Sequence, residues 1–294
     1  MHIVVTTPTG NIGHVVVERL LNAGADVTVI ARNPDKLTPN VREKVTVHQG
    51  DLGDAAFVQK ATENAEALFW LTPPNFTAPD WRAFYQQNAD SAANAVRANH
   101  IPYVVHLSSA GAEHATGFGP VSFIQIVENA LNATGANVLH LRPGFFYENF
   151  LAQVEPIKNT GKMFYGMPPE ARFPLIATRD IGEAAARRLL AHDFSGVEIM
   201  GLHGPADVPT FAEAAQIIGE AIGKPVEYVQ IPLDALKSQL LQMGASQSVA
   251  DSYIEMTEAQ ARGAQPAEPR TPETTTPTTL KEWAAQVMAP ALRK

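Results

Sequence analysis

The 294-residue chain is predicted to be an α/β protein: a Rossmann-type doubly wound parallel sheet with a smaller, mostly helical C-terminal substrate domain. Three observations lead there. Short β-branched runs alternate with helical patterns through the first half. A glycine-bearing turn, Thr7-Pro8-Thr9-Gly10-Asn11-Ile12-Gly13, joins the first run to the first helical pattern. The second half is less regular, and its patterns are mainly helical.

Strands are expected at residues 2–7, 27–30, 45–48, 67–71, 103–107 and 137–141. Val15, Leu20 and Leu21 mark the first helix, and Gly24 suits its left-handed C-cap. Trp81, Phe84, Tyr85, Asn88, Ala92, Ala95 and Val96 recur at helical spacing, as do Ile124, Val127 and Leu131. Asp180 with Glu183 has the spacing of a capping box opening a helix to about residue 192. A strand at 197–200, a helix at about 210–222, a strand at 226–230 and helices at about 233–243 and 247–260 follow. Residues 263–279 are rich in Pro and Thr. A second capping box, Thr279 to Glu282, places a docked helix at Trp283, so this stretch is read as an ordered extended loop.

Composition narrows the function. Hydrophobic residues make up 45% and charged residues 18%, enough apolar material for a core and too little charge for disorder. There is no cysteine, which excludes a disulfide scaffold, a thiolate nucleophile, a thiolate zinc site and an iron–sulfur cluster. The histidines show no metal-ligand spacing, so no metal is expected. A net charge of −8 argues against direct nucleic-acid binding. No apolar run approaches ~18 residues and the chain opens as a strand, so neither a membrane span nor a signal peptide is expected, and a cytoplasmic location is the default.

A glycine turn between a strand and a helix is where a dinucleotide's pyrophosphate sits, held by backbone N–H groups and the helix dipole. Gly10 would admit the phosphates and Gly13 would let the helix pack on the strand. The first glycine of the usual pattern is replaced by Thr7, and Pro8 should hold Thr7 extended. An ordinary tight turn would look the same. The second strand ends in Ile30-Ala31-Arg32-Asn33-Pro34-Asp35-Lys36. Arg32 stands where an acidic residue would bond the ribose 2′-hydroxyl of NAD, with Lys36 in reach, so a 2′-phosphate and NADP are favoured over a merely solvated strand-end arginine. Asp51, beside Leu52, either accepts from the adenine amino group or caps the next helix.

Thr-Gly-x-x-Gly at 9–13, Ala-Arg-Asn-Pro at 31–34, Gly-Asp-Leu at 50–52 and Leu-Arg-Pro-Gly-Phe-Phe-Tyr-Glu-Asn at 141–149 resemble the NmrA-like family, atypical members of the short-chain dehydrogenase/reductase superfamily. That resemblance implies NADP binding and, in some members, reduction of quinones or other small organic molecules. Other members are redox-sensing regulators that act through a protein partner without turnover. It implies that Thr7 and Thr9 to Gly13, with Asn11 and Ile12 between them, contact pyrophosphate, and that Leu71, Thr72 and Pro73 border the nicotinamide ribose. It implies further that Pro143, Gly144 and Phe145 close over the nicotinamide, and that Phe146, Tyr147 and Asn149 line the substrate cleft. The division expected is residues 1–150 for the NAD(P)-binding domain and 151–294 for the substrate-cleft domain, with elements at about 176–200 returning to the first sheet.

Carbonyl reductases of this superfamily use Tyr-x-x-x-Lys as the proton donor. The residues four positions after the six tyrosines are Ala89, Leu107, Leu151, Pro169, Pro232 and Thr257, and none is a lysine. Many family members carry a lysine four residues before the glutamate matching Glu128; here Ile124 occupies that place. An acceptor whose reduced form is a stable anion needs little proton donation, and a quinone is one. Ser108, bonding a ribose, and Ser109, bonding substrate, are candidates at the end of the fifth strand, though strand-end serines are common there. His114, in the loop from Gly111 to Gly119 that reads as a mobile lid, is the candidate proton donor; a loop histidine without a role is the other reading. The reading is an NADPH-dependent oxidoreductase for a quinone or similar small acceptor, acting as a monomer or homodimer. The alternative is a non-catalytic NADP(H)-binding regulator.

Overall fold

The computed structural model describes residues 1–263 and 267–293, so residues 264–266 of the expected loop lie outside the description. The first half runs β1 (His2–Thr6), α1 (Gly13–Asn22), β2 (Asp26–Ala31), α2 (Pro39–Arg42), β3 (Thr46–Gln49), α3 (Ala55–Ala61), β4 (Ala67–Trp70), α4 (Trp81–Ala98), β5 (Tyr103–Leu107), α5 (Pro120–Asn132) and β6 (Asn137–Pro143). The second half runs β7 (Phe145–Phe146), α6 (Val154–Thr160), β8 (Lys162–Tyr165), β9 (Leu175–Ile176), α7 (Thr178–Ala191), β10 (Val197–Leu202), α8 (Phe211–Ile222), β11 (Glu227–Gln230), α9 (Leu233–Gln242), α10 (Gln247–Ala261), α11 (Leu280–Trp283) and α12 (Ala289–Arg293).

Seven strands form one parallel sheet in the order β10-β6-β5-β4-β1-β2-β3. The chain leaves β1 toward β2 and β3, then crosses back to β4 on the other side. The order in which strands are added therefore reverses between β1 and β4, and ligands of such sheets bind outside the carboxyl ends of the strands at that point. Strand side chains alternate between two layers. Ile3, Val5, Val27, Val29 and Phe69 pack with Val16 and Leu20 of α1 and Ile181 and Leu189 of α7. Val4, Ile30, Leu68 and Trp70 pack with Val58 of α3, Trp81 of α4 and Val127 of α5. Burying each such aliphatic side chain contributes roughly 1.5–3 kcal/mol. A third cluster, with Phe150, Met163, Phe211, Ile218 and Trp283, sits under the second half. There β7 pairs with β9 and β8 with β11, and the sequence patterns did not reveal β7, β8, β9 or α6.

The start of α7 differs from the expected Asp180–Glu183 capping box. No side chain of the helix's own N-cap closes it. Glu148 does so from a distance, accepting from the Thr178 N–H at 3.0 Å and, through its other oxygen, from Trp283 Nε1 at 3.1 Å. Asp180 instead accepts from Thr278 N (3.0 Å) and Thr278 Oγ1 (2.7 Å). Both carboxylates are thereby committed to holding the C-terminal segment on α7. The Thr279–Glu282 box does form. Within the described part of the expected loop, Thr274 and Thr276 exchange backbone hydrogen bonds with His203, just past β10. Among the described residues no helix is long and apolar enough to cross a membrane.

Candidate functional site

The turn after β1 is built for close approach. Gly10 N donates to Thr7 O at 3.1 Å, closing the turn, and His14 N donates to Gly10 O at 3.1 Å, starting α1. Thr7 departs from the extended geometry expected before Pro8: its φ is +52°, which a β-branched side chain disfavours. Turn closure overrides the local preference, and Thr7 Oγ1 is left buried without a partner among the described residues. The two glycines have different reasons. A Cβ at Gly13 would collide with the Thr7 carbonyl, whereas one at Gly10 would stand 3.5 Å from that oxygen, an ordinary distance. Gly10 also has no positive φ. Neither packing nor backbone geometry demands glycine there, so the open space in front of it is what glycine preserves. No side chain caps α1, and its first turn has no acidic residue, which leaves the dipole's positive end open to an anion.

In front of this turn lies a cavity of about 460 Å³ at the reversal between β1 and β4. It gathers Thr7, Thr9 and Gly10, Arg32 and Lys36, Asp51 and Leu52, and Pro73, from the loops after β1, β2, β3 and β4. Phe84 and Asn88 of α4 and Asn75 complete the wall. None of the three is among the site residues expected from the sequence; Phe84 and Asn88 appear there only within a helical stripe, where the polar character of Asn88 inside an apolar stripe is the available signal. Arg32 and Lys36 are exposed, and among the described residues neither pairs with a carboxylate. The nearby Asp35 is taken by Arg42 at 2.9 Å. Asp51 does not cap α3; Asp54 does, accepting from Phe57 N at 3.0 Å, while Asp51 accepts from Gly53 N at 2.7 Å. Thr6 Oγ1 accepts from Leu71 N at 2.9 Å, locking the ends of β1 and β4 together beside Thr72 and Pro73.

Asn11, Ile12, Gly13, Leu71 and Thr72 are not in the lining, and the Ile12 side chain is buried in the core. The expected site residues beyond the ends of β5 and β6 are not part of the lining either. Ser108 is buried, and its hydroxyl donates to Glu128 Oε1 at 2.5 Å, so it is turned away from any ribose. Glu128 in turn receives Arg142 Nε at 2.9 Å and Nη2 at 2.7 Å, a two-pronged ion pair. Arg142 Nη1 also reaches Glu113 at 3.1 Å and Glu268 at 2.6 Å. Burial pushes the Glu128 carboxyl up, but Arg142, His140 and Ser108 together outweigh it and hold it below its usual range. This three-carboxylate cluster is the main feature that sequence reasoning missed, because its members come from four distant segments.

Pro143, Gly144 and Phe145 run on from β6, tied by Ala110 N to Pro143 O (2.9 Å) and by Phe145 N to Pro174 O (2.8 Å). Phe146 pairs with Ile176, and Asn149 is exposed, its carbonyl accepting from Tyr165. Tyr147 does not present its ring to an open cleft. It is buried against Trp283, its hydroxyl donates to Thr278 O at 3.2 Å, and burial, with Asp180 nearby, raises its ionisation well above the usual tyrosine value. Ser109 is half-buried and donates weakly to Ala110 O. His114 is exposed, stacked on Phe118 at 4.1 Å, with Nε2 3.6 Å from Glu113 Oε1. Its loop is docked rather than free: Gly119 N donates to Glu255 Oε2 at 3.1 Å, and a Cβ at Gly119 would collide with the Ser252 carbonyl of α10.

A model of the NmrA-like family matches residues 1–284. Quinone oxidoreductase 2 of Escherichia coli (strain K12) is 27% identical over 258 residues, covering 86% of this chain and 87% of that protein. The NAD(P)H azoreductase of Xenophilus azovorans is 27% identical over 267 residues, covering 86% and 85%. Among solved structures, the Citrobacter sp. triphenylmethane reductase complexed with NADP(H) aligns with a TM-score of 0.80 at 20% identity, over 98% of this chain and 100% of that one, so the fold is common to both.

Proposed function

Because the chain belongs to the NmrA-like family, we propose that it is an NADPH-dependent oxidoreductase that transfers hydride to a quinone or a similar small organic acceptor. One observation carries this reading: the cavity at the sheet reversal joins an open helix N-terminus to two cations that pair with no carboxylate among the described residues. Anionic groups fit both ends of it. Its volume falls within the roughly 300–1,000 Å³ of small-molecule clefts. The names of the two relatives, for quinone and azo reduction, agree with the assignment.

Residues Thr7 to Gly13 would hold the pyrophosphate, Arg32 and Lys36 the 2′-phosphate, and Asp51 and Leu52 the adenine, with Phe84 and Asn88 as the wall behind it. Leu71, Thr72 and Pro73 would border the nicotinamide ribose, and Pro143, Gly144 and Phe145 the nicotinamide. NADPH supplies the hydride when bound. The chain orients the reactants. Tyr147, the tyrosine expected in the cleft, is hydrogen-bonded and buried and so is not placed to give up its proton. A quinone suits such a site because its reduced anion is stable enough to be protonated by water afterwards. Incubation with NADPH and a panel of quinones tests the reading: consumption of NADPH is expected. Tight NADPH binding with no consumption for any acceptor would favour the redox-sensing regulator.

A further inference from the structure

We infer that the ring of Phe76 is a pre-organised platform on which a flat aromatic acceptor stacks beside the cofactor site; this rests on the oxidoreductase reading above. Phe76 lies in the loop after β4, at the sheet reversal, outside the cavity lining itself but directly after Asn75 of its wall and three positions after Pro73, the residue assigned above to the nicotinamide ribose. It is 43% exposed, and among the described residues it is the only aromatic side chain among the exposed large apolar ones. Val197 and Ile199, also exposed, sit on β10, three strands away in the sheet; Leu241 and Met243, the other exposed large apolar side chains beyond the N-terminal Met1, are aliphatic and lie at the end of α9, a few residues before the Ser246 whose N–H bonds Phe76 O.

The ring is exposed but not loose. Tyr253 of α10 stacks on it at 5.9 Å and 21°, and Tyr253 stacks in turn on the buried Trp81 at 5.6 Å and 19°. Phe123 of α5 meets Trp81 edge-on at 6.5 Å. The backbone is held as well. Phe76 O accepts from Ser246 N at 2.9 Å, Ala78 O accepts from Ser246 Oγ at 2.6 Å, and Asn75 Oδ1 accepts from Thr77 N at 3.2 Å. Phe76 also meets Trp81 directly at 6.2 Å, so a cluster of aromatic rings rooted in the core presents one ring to solvent. Holding it costs no further ordering when a ligand arrives, which favours affinity. The negative face of a phenyl ring favours an electron-poor flat partner in offset stacking. A quinone ring has that chemistry.

The test uses Phe76→Ala, Phe76→Leu and Phe76→Tyr in the full chain. An aromatic stack accounts for about 2- to 13-fold in affinity. The Ala and Leu variants should raise KM for 1,4-naphthoquinone by about that factor, with kcat and the NADPH Kd unchanged, and Tyr should restore KM. Calorimetric titration of 1,4-naphthoquinone into the NADP⁺-saturated chain should show the same loss without any turnover. If the parent turns over quinone and both Ala and Leu keep its KM, the platform is overturned. No naphthoquinone binding to the parent overturns it too. Binding that depends on Phe76 in a chain that consumes no NADPH supports the platform and sinks the oxidoreductase reading instead.

Discussion

Arg32 is the side chain on which cofactor choice should turn. It is exposed at the rim of the cavity, and its acidic neighbour Asp35 is occupied by Arg42. A charge-assisted contact to a phosphate contributes about 1.5–3 kcal/mol, so NADPH should bind roughly 10- to 100-fold tighter than NADH. Arg32→Ala should remove most of that preference and leave NADH affinity within about twofold, read by cofactor fluorescence titration; equal parent affinities would refute it. Thr7 makes the opposite kind of prediction. A left-handed backbone costs a residue with a Cβ about 1–2 kcal/mol, while glycine adds about 0.4–1 kcal/mol of unfolded-state entropy. The first exceeds the second, so Thr7→Gly should raise the melting temperature by a degree or two. Gly13→Ala should lower it, because its Cβ meets the Thr7 carbonyl.

At the scale of elements, the ends of β5 and β6 are joined to α5 through Ser108, Glu128 and Arg142. Removing one partner of a buried ion pair costs about 3–5 kcal/mol. Glu113 and Glu268 remain beside Arg142, so Glu128→Ala should fall at the low end of that range, and urea unfolding measures it. Glu113→Ala removes a carboxylate that is 26% exposed and should cost much less. Tyr147 belongs to the segment that links β7 to the C-terminal helices, and its hydroxyl is held by Thr278. Quinone reduction should therefore show a nearly flat rate from pH 6 to 9, or one histidine-like step if His114 takes part. A steep alkaline limb abolished by Tyr147→Phe would show that this tyrosine is the proton donor after all.

For the whole molecule, the buried pair His106 and His140 couples β5 and β6 to pH. Their Nδ1 atoms stand 3.0 Å apart, and His140 Nε2 meets Asn132 Oδ1 at 2.8 Å. Burial holds His140 down to about 4 and His106 well below its ordinary value, with Arg142 acting in the same direction on both. In the unfolded chain both take up protons below about pH 6.5. Between there and about pH 4 the unfolded state binds more protons, so stability should fall as the pH drops through that window. Glu128, held low, adds to the same trend at its acid end. Urea midpoints measured from pH 7 to 4.5 should decline, and His140→Gln should flatten the decline.

The sequence by itself determined the parallel sheet, the turn at Thr7 to Gly13 and the cations after β2. These follow from local rules: short β-branched runs alternating with helical patterns, a glycine where something must approach, and a charge at a strand end. Only the tertiary structure decided which residues face the cavity and which are consumed elsewhere. Phe84 and Asn88 enter the wall because α4 folds across the reversal, and Ser108 leaves the site because α5 brings Glu128 beneath it. Asp180 and Glu148 spend their oxygens on Thr278, Thr178 and Trp283, segments about 30 to 135 residues away in sequence. A side chain's hydrogen-bond partner is set by distance in space, and spacing along the chain carries that information only within a turn, a helix or a strand.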